Sequence, residues 1–147
     1  MTKTPIIDEI EGSDSELSAA LLGAGLPADD LELPGRKFFR FRDGPRLIGF
    51  VGWEGAGTHC ALLRSLVVLP AMRGQGWGNV MTLCAMARLS KLGMTEAWML
   101  TTTAETLAIN LGFERADRDS ASEGIRQSRQ FTDLCPASAV LLRKRLA

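Results

Sequence analysis

The chain has 147 residues, 46% hydrophobic and 23% charged, the size and balance of one folded domain with room for a core rather than of a disordered or fibrous chain. Lys plus Arg equal Asp plus Glu at 17 each, so no net field draws the chain to nucleic acid or to an acidic membrane. The opening stretch "MTKTPIIDEIEG" lacks a long apolar core and nothing later approaches the roughly 18 apolar residues of a membrane span, which makes the cytoplasm the expected location.

In chain order, "PIIDEIE" reads as a short strand. "SDSELSAALLGAGL" follows as a helix capped at Ser13 or Asp14, with an apolar stripe at Leu17, Ala20 and Leu21. Pro27, Pro34 and Gly35 make "PADDLELPG" a short helix or loop that returns the chain to the sheet. "KFFRFRDGPRLIGFVGWE" reads as two strands joined at Asp43-Gly44, and "HCALLRSLVVLP" as the next hairpin partner, turned at "GAGT". The helix "NVMTLCAMARLSKLG" has Arg88 and Lys91 near its end and Gly93 as its stop. Then come a strand in "EAWMLTT", a short helix in "AETLAINLGF" ended by Gly112, a strand near "FERADR", a helix near "EGIRQSRQFTDL" and a last strand in "SAVLLRKRL". This order predicts a single α/β domain over residues 1–147, with a mixed, mostly antiparallel sheet flanked by helices.

Cys60, Cys84 and Cys135 are odd in number, far apart and without metal-clip spacing. They read as small buried or partly buried thiols, and the lone His59 cannot make a metal site, so no metal is expected.

The stretch "LRSLVVLPAMRGQGWGNVM" runs from an apolar strand through a proline into glycines at 74, 76 and 78 and then into a helix. Glycines let a ligand approach the backbone, and a helix start offers unpaired N–H groups and a positive dipole end, which together suit a phosphate. A P-loop needs Lys and Ser or Thr after the last glycine, where Asn79 and Val80 stand. A dinucleotide fingerprint needs a sixth-position glycine, where Asn79 stands, although Glu96 lies near the distance of a ribose contact. The remaining pattern, Arg/Gln-x-x-Gly-x-Gly/Ala, is complete as Arg73-Gly74-Gln75-Gly76-Trp77-Gly78.

With the preceding strand and the following helix, this segment closely resembles the acetyl-CoA-binding motif of the GNAT acetyltransferases, joined by the late "LGF" at Leu111-Gly112-Phe113. The resemblance implies the GNAT fold and acetyl-CoA as co-substrate. It also implies pyrophosphate held by the loop from Arg73 to Asn79 and pantetheine held along Leu66, Val67 and Val68. A narrower resemblance rests on "VGWE", "LLRSLVV", "LTTTAE" and "LCPASA", which in this order are similar to the ArsN-like N-acetyltransferases encoded in arsenic-resistance operons. It implies a small-molecule amine acceptor, such as phosphinothricin or its arsenic analogue arsinothricin, with a homodimer left open.

The chemistry itself asks for an amine that loses its proton before attacking a thioester, to a base or a water relay, and for close positioning, worth up to about 7–11 kcal/mol. Backbone N–H groups at the strand's end can polarise the carbonyl. Glu54, ending "LIGFVGWE", is the candidate base, against a solvated strand-end carboxylate. Arg64, set in the apolar run "ALLRSLVV", needs a partner, and a substrate carboxylate and an internal one such as Glu54 stand as equal choices. Ser65 reads as a packing or hydrogen-bonding residue, Trp77 as packing in the loop, and Arg126 and Arg129 as a solvated face. Thr101, Thr102 and Thr103 could offer a hydroxyl to the substrate or cap the following helix. Many acetyltransferases carry a Tyr before "LGF" that protonates the departing thiolate; Ala108 stands there, and the chain has no Tyr. A catalytically weak acyl-CoA-binding or sensing protein on the same fold is therefore the alternative to an enzyme.

Overall fold

The central strands of the sheet are near-continuous apolar runs buried on both faces, and the helices cover them. The computed structural model describes residues 4–129, 131–132 and 138–146. Strand β1 (Ile6–Ile10) leads into helix α1 (Ser15–Gly23), where Asp14 accepts a hydrogen bond from the Leu17 N–H at 3.0 Å and so satisfies one orphan donor of the first turn. Leu17 and Leu21, four apart on one face, are fully buried. The segment after α1 forms a loop without a helix before β2 (Arg36–Asp43).

Strands β2 and β3 (Arg46–Gly55) form a hairpin in which Asp43 faces Arg46, and the two-residue turn places Gly44 at φ +59 ahead of Pro45. β4 (Cys60–Val68) returns antiparallel to β3, and helix α2 (Trp77–Lys91) crosses to β5 (Glu96–Thr101), which lies parallel to β4. Gly93 at φ +87 closes α2, and the Met94 N–H reaches the Leu89 carbonyl at 3.0 Å. The helix begins at Trp77, two residues before the expected Asn79, because Gly76 serves as its cap. Helix α3 (Glu105–Asn110), the two-residue strand β6 (Glu114–Arg115), the single turn α4 (Glu123–Arg126) and β7 (Val140–Arg145) complete the described chain.

Among the described residues seven strands stand in the order β1-β2-β3-β4-β5-β7-β6, and of their pairings only β4–β5 is parallel. On one face α2 packs Trp77, Met81, Ala85 and Leu89 against Phe39, Val51, Leu63 and Met99. On the other, Leu17 and Leu21 of α1 meet Phe38, Phe50 and Val67, while Ile125 of α4 meets Leu62 and Trp98. The mixed, mostly antiparallel sheet flanked by helices is thus as predicted. The late helix is interrupted where a continuous one was expected: the Ser128 hydroxyl donates to the Ile125 carbonyl at 2.7 Å and accepts from the Phe131 N–H at 3.2 Å, closing α4 and capping a second helical stretch to which Arg129, Phe131 and Thr132 belong. Cys135 and most of "LCPASA" lie outside the described residues.

Candidate functional site

The site begins with an irregularity in β4. Gly52 pairs with Arg64 and Phe50 with Val67, so Val51 alone opposes both Ser65 and Leu66. Ser65 takes up the extra length at φ +60, a left-handed conformation rare for a residue with a side chain. Glycines flank the facing position, and a Cβ on Gly49 would lie 1.9 Å from the Val67 carbonyl oxygen, while one on Gly52 would lie 2.5 Å from the Phe38 ring. Close approach of backbone and ring at the bend therefore requires both.

Beyond the bulge β4 and β5 part. They pair only from Cys60–Glu96 to Leu63–Met99; after that Val67 and Val68 bond to β3, and Leu100 and Thr101 bond to β7. The fork opens a cavity of about 270 Å³, walled by Leu63 to Leu66, by Met99 to Ala104 and by the loop after α1 at Gly25 to Pro27 and Asp29. Of the strand positions assigned to pantetheine, Leu66 lines this cavity, Val68 lines the adjoining groove, and Val67 turns into the core beneath α1, leaving only its backbone for a ligand.

That groove, about 300 Å³, follows the glycine loop past Arg73, Gly74, Gly76, Gly78 and Asn79. Gly74 and Gly76 hold φ +77 and +85, and a Cβ on Gly74 would meet nothing within 4 Å, so its backbone faces open space. The first-turn N–H groups of α2 point out of its N-terminus there. Arg73 donates from Nε to the Val68 carbonyl at 3.0 Å, tying the loop to the end of β4. Gln75 is exposed at the tip, and Trp77 is buried among Met81 and Met86 in the core, the packing role expected of it.

Behind the cavity lies a buried quartet of charges. Both terminal nitrogens of Arg64 donate to Asp30, Nη1 to Oδ2 at 2.6 Å and Nη2 to Oδ1 at 2.5 Å, with both side chains fully buried. Its Nε donates to the Ser65 hydroxyl at 3.2 Å, and its carbon centre lies 5.8 Å from the Phe38 ring. Arg36 bridges Asp30 and Glu54, at 2.9 Å to each. Glu54 Oε1, 3.7 Å from Arg64 Nη1, is buried with no hydrogen-bond partner among the described residues. Of the two partners anticipated for Arg64, the structure supplies an internal carboxylate, and it is chiefly Asp30 rather than Glu54. The sequence reading missed Asp30 altogether, although a second acid in a Pro-bounded loop, opposite an arginine set in an apolar strand, was the available signal.

The two carboxylates respond oppositely. Burial alone would raise Asp30, but the hydrogen bonds and charges of Arg64 and Arg36 outweigh it and hold the carboxyl at about 2, below its ordinary 3.8. Burial pushes Glu54 up; Arg64 and Arg36 offset this in part and the Asp30 charge adds to it. A depressed acid contributes stability that is present above its unfolded value and lost as the pH falls through its folded one. Wild-type protein should thus exceed Asp30→Asn in urea midpoint at pH 7, with the gap closing as the pH falls from about 4 toward 2. A gap that persists unchanged at pH 2 would remove the Asp30 ion pair as its source.

Other candidates sort by position. Glu54 does not line the cavity, so a proton passing to it from an amine there needs an intervening water. Thr101 Oγ1 accepts from the N–H groups of Thr103 at 3.1 Å and Ala104 at 2.9 Å, and thereby forms the turn into α3, while Thr102 and Thr103 line the cavity. Ala108 is fully buried and its helix contributes no hydroxyl at that point. Arg126 is exposed, as expected of a solvated face.

Comparison with known proteins agrees with this geometry. N-acetylglutamate synthase from Neisseria gonorrhoeae, solved with coenzyme A (CoA) and N-acetyl-glutamate, superposes with a TM-score of 0.75 at 16% identity over 99% of this chain. The chain spans only 36% of that synthase. A Bacillus subtilis acetyltransferase in complex with CoA gives a TM-score of 0.73 at 17% identity, over 98% of this chain and 100% of the other. A Mycobacterium tuberculosis protein in complex with CoA and NLQ gives 0.76 at 15% identity, over 97% and 100%. No curated protein matches the sequence. The sequence matches the acetyltransferase (GNAT) family over residues 8–113, most of the chain and all of the fork and loop just described, and the protein belongs to that family.

Proposed function

We propose that the protein transfers an acetyl group from acetyl-CoA to the primary amine of a small molecule. The observation that carries this is the succession of two spaces along one strand: β4 lines a cavity in the sheet with Leu63 to Leu66 and, two residues on, lines with Val68 a groove at a glycine loop and helix start suited to pyrophosphate. Gly74 leaves room for phosphate oxygens against the backbone, with Arg73, Gly76 and Asn79 lining the same groove. The backbone of Leu66 to Val68 would hold the extended arm of the donor, with N–H groups near the bulge able to polarise a carbonyl. The fork holds donor and amine side by side, which is the larger part of the expected rate gain.

The resemblance to ArsN-like enzymes suggests phosphinothricin or arsinothricin as acceptor. The guanidinium that would greet such a carboxylate, Arg64, is already committed to Asp30, so the reading favoured by the geometry is a small primary amine without that restriction. A CoA-binding protein with little turnover is the second reading, favoured by the lack of any hydroxyl at Ala108; a thiolate whose conjugate acid has a pKa near ~8.5 can leave unassisted, which keeps the first reading ahead.

Thiol release from acetyl-CoA, followed over a panel of primary amines, tests the proposal, and binding of CoA with no release for any amine would overturn it. In the same assay kcat/KM should rise with pH as amine and Glu54 lose protons and show no falling limb near ~pH 10, there being no phenol. Glu54→Gln should lower kcat by about tenfold or more with CoA affinity unchanged. Full activity across the pH range in that variant would leave direct attack by free amine, or a water relay to another group.

A further inference from the structure

The charges around the cavity are unequal in availability. Asp29 and Arg64 are the charged residues of its described lining. Arg64 is sealed: its terminal nitrogens are bound to Asp30, its Nε to Ser65, and its side chain is fully buried. Asp29 is exposed at the mouth and has no ion pair among the described residues. Two backbone donors on the opposite wall, the N–H groups of Thr103 and Ala104, are spent on Thr101 Oγ1. Hydroxyl groups of Ser65, Thr82, Thr101, Thr102 and Thr103 also line the cavity, none of them charged, and the rest of the wall is mainly aliphatic, with Leu26, Val51, Leu63, Leu66 and Met99.

A carboxylate entering this space would lose its hydration, find no free cation among the described lining residues and face Asp29. An ammonium on an apolar body would meet a carboxylate at the mouth and bury the rest of itself among aliphatic side chains. Resting on the acetyl-transfer reading above, we infer that the cavity selects primary amines that carry no carboxylate beside the amine, with Asp29 meeting the incoming ammonium. Asp29 gathers the protonated form, and the ammonium then passes its proton through water to Glu54 before the amine attacks, which fits a rate that rises with pH.

A matched pair, 2-phenylethylamine and L-phenylalanine, differs by the carboxylate alone. Calorimetry on the CoA-loaded protein should show the amine binding at least about tenfold tighter, because the unpaired carboxylate must be desolvated. Asp29→Asn should weaken binding of the amine by up to about fivefold, the range of an exposed charge pair, without improving its rival's competitor status to parity. Equal binding of the pair, tighter binding of phenylalanine, or binding of neither would overturn the inference. Selective binding of the amine without thiol release would instead overturn acetyl transfer and leave the selection standing. Equal turnover of both would overturn the selection and leave acetyl transfer standing.

Discussion

Asp30→Ala should lower the thermal midpoint by roughly 6–20 °C at pH 7, from a loss of about 3–5 kcal/mol for an opened buried ion pair and about 2–4 °C per kcal/mol at this chain length. The quartet of Asp30, Glu54, Arg36 and Arg64 is neutral as a whole. Removing Asp30 leaves two guanidinium groups against one carboxylate, and an arginine cannot shed its proton to relieve the imbalance. Arg64→Ala creates the opposite excess, yet Glu54, already displaced upward by burial, can take up a proton. Its deficit should therefore be smaller and should shrink further toward acid pH. Replacing the pair together, Asp30→Leu with Arg64→Met, should recover much of the loss, as buried pairs often exchange well for packed apolar groups. Midpoints for Asp30→Ala within a few degrees of wild type would show that the quartet contributes little.

The second large effect belongs to the glycine loop. Gly76→Asp should raise the Kd for CoA by a hundredfold or more, since like charges about 4 Å apart at an effective dielectric near 20 repel by about 4 kcal/mol. Gly76 sits at φ +85, a region that Asp tolerates better than most residues, so the domain should stay folded with its midpoint lowered by only a few degrees. Calorimetry on a folded variant with unchanged CoA affinity would defeat the assignment of the loop. Arg73 holds its loop to the Val68 carbonyl from an exposed position, and its loss should cost far less.

What could be read from the sequence was local. The i, i+4 pair Leu17 and Leu21, the Asp43-Gly44 turn, the Gly93 stop and the run Arg73–Gly78 each carry their meaning within a few residues, and each has its place in the fold. Asp30 escaped because its partner Arg64 lies 34 positions away, and no periodicity in "PADDLELPG" marks one of its two adjacent aspartates as buried. The bulge at Ser65 was half legible: Gly49 and Gly52, enclosing Phe50 and Val51 in "IGFVGW", break a strand pattern and point to backbone approaching closely, without saying which facing residue takes the extra length. Arg64 needed a partner on any reading of its strand, but only the folded chain could choose among the acids.

The placement of β7 between β5 and β6 has a bearing on how the chain reaches this structure. β6 pairs with β7 alone, and β5 keeps an open edge at Glu96 to Thr101 until residues 140–145 arrive. The wall of the fork formed by β5 is thus secured late, by a contact spanning some of the longest sequence separations in the sheet, whereas β2, β3 and β4 can close by short hairpins and β1 joins them across α1. Assembly is expected to proceed in two unequal stages, an early antiparallel half and a late insertion, with the exposed β5 edge as the surface most open to wrong pairing in between.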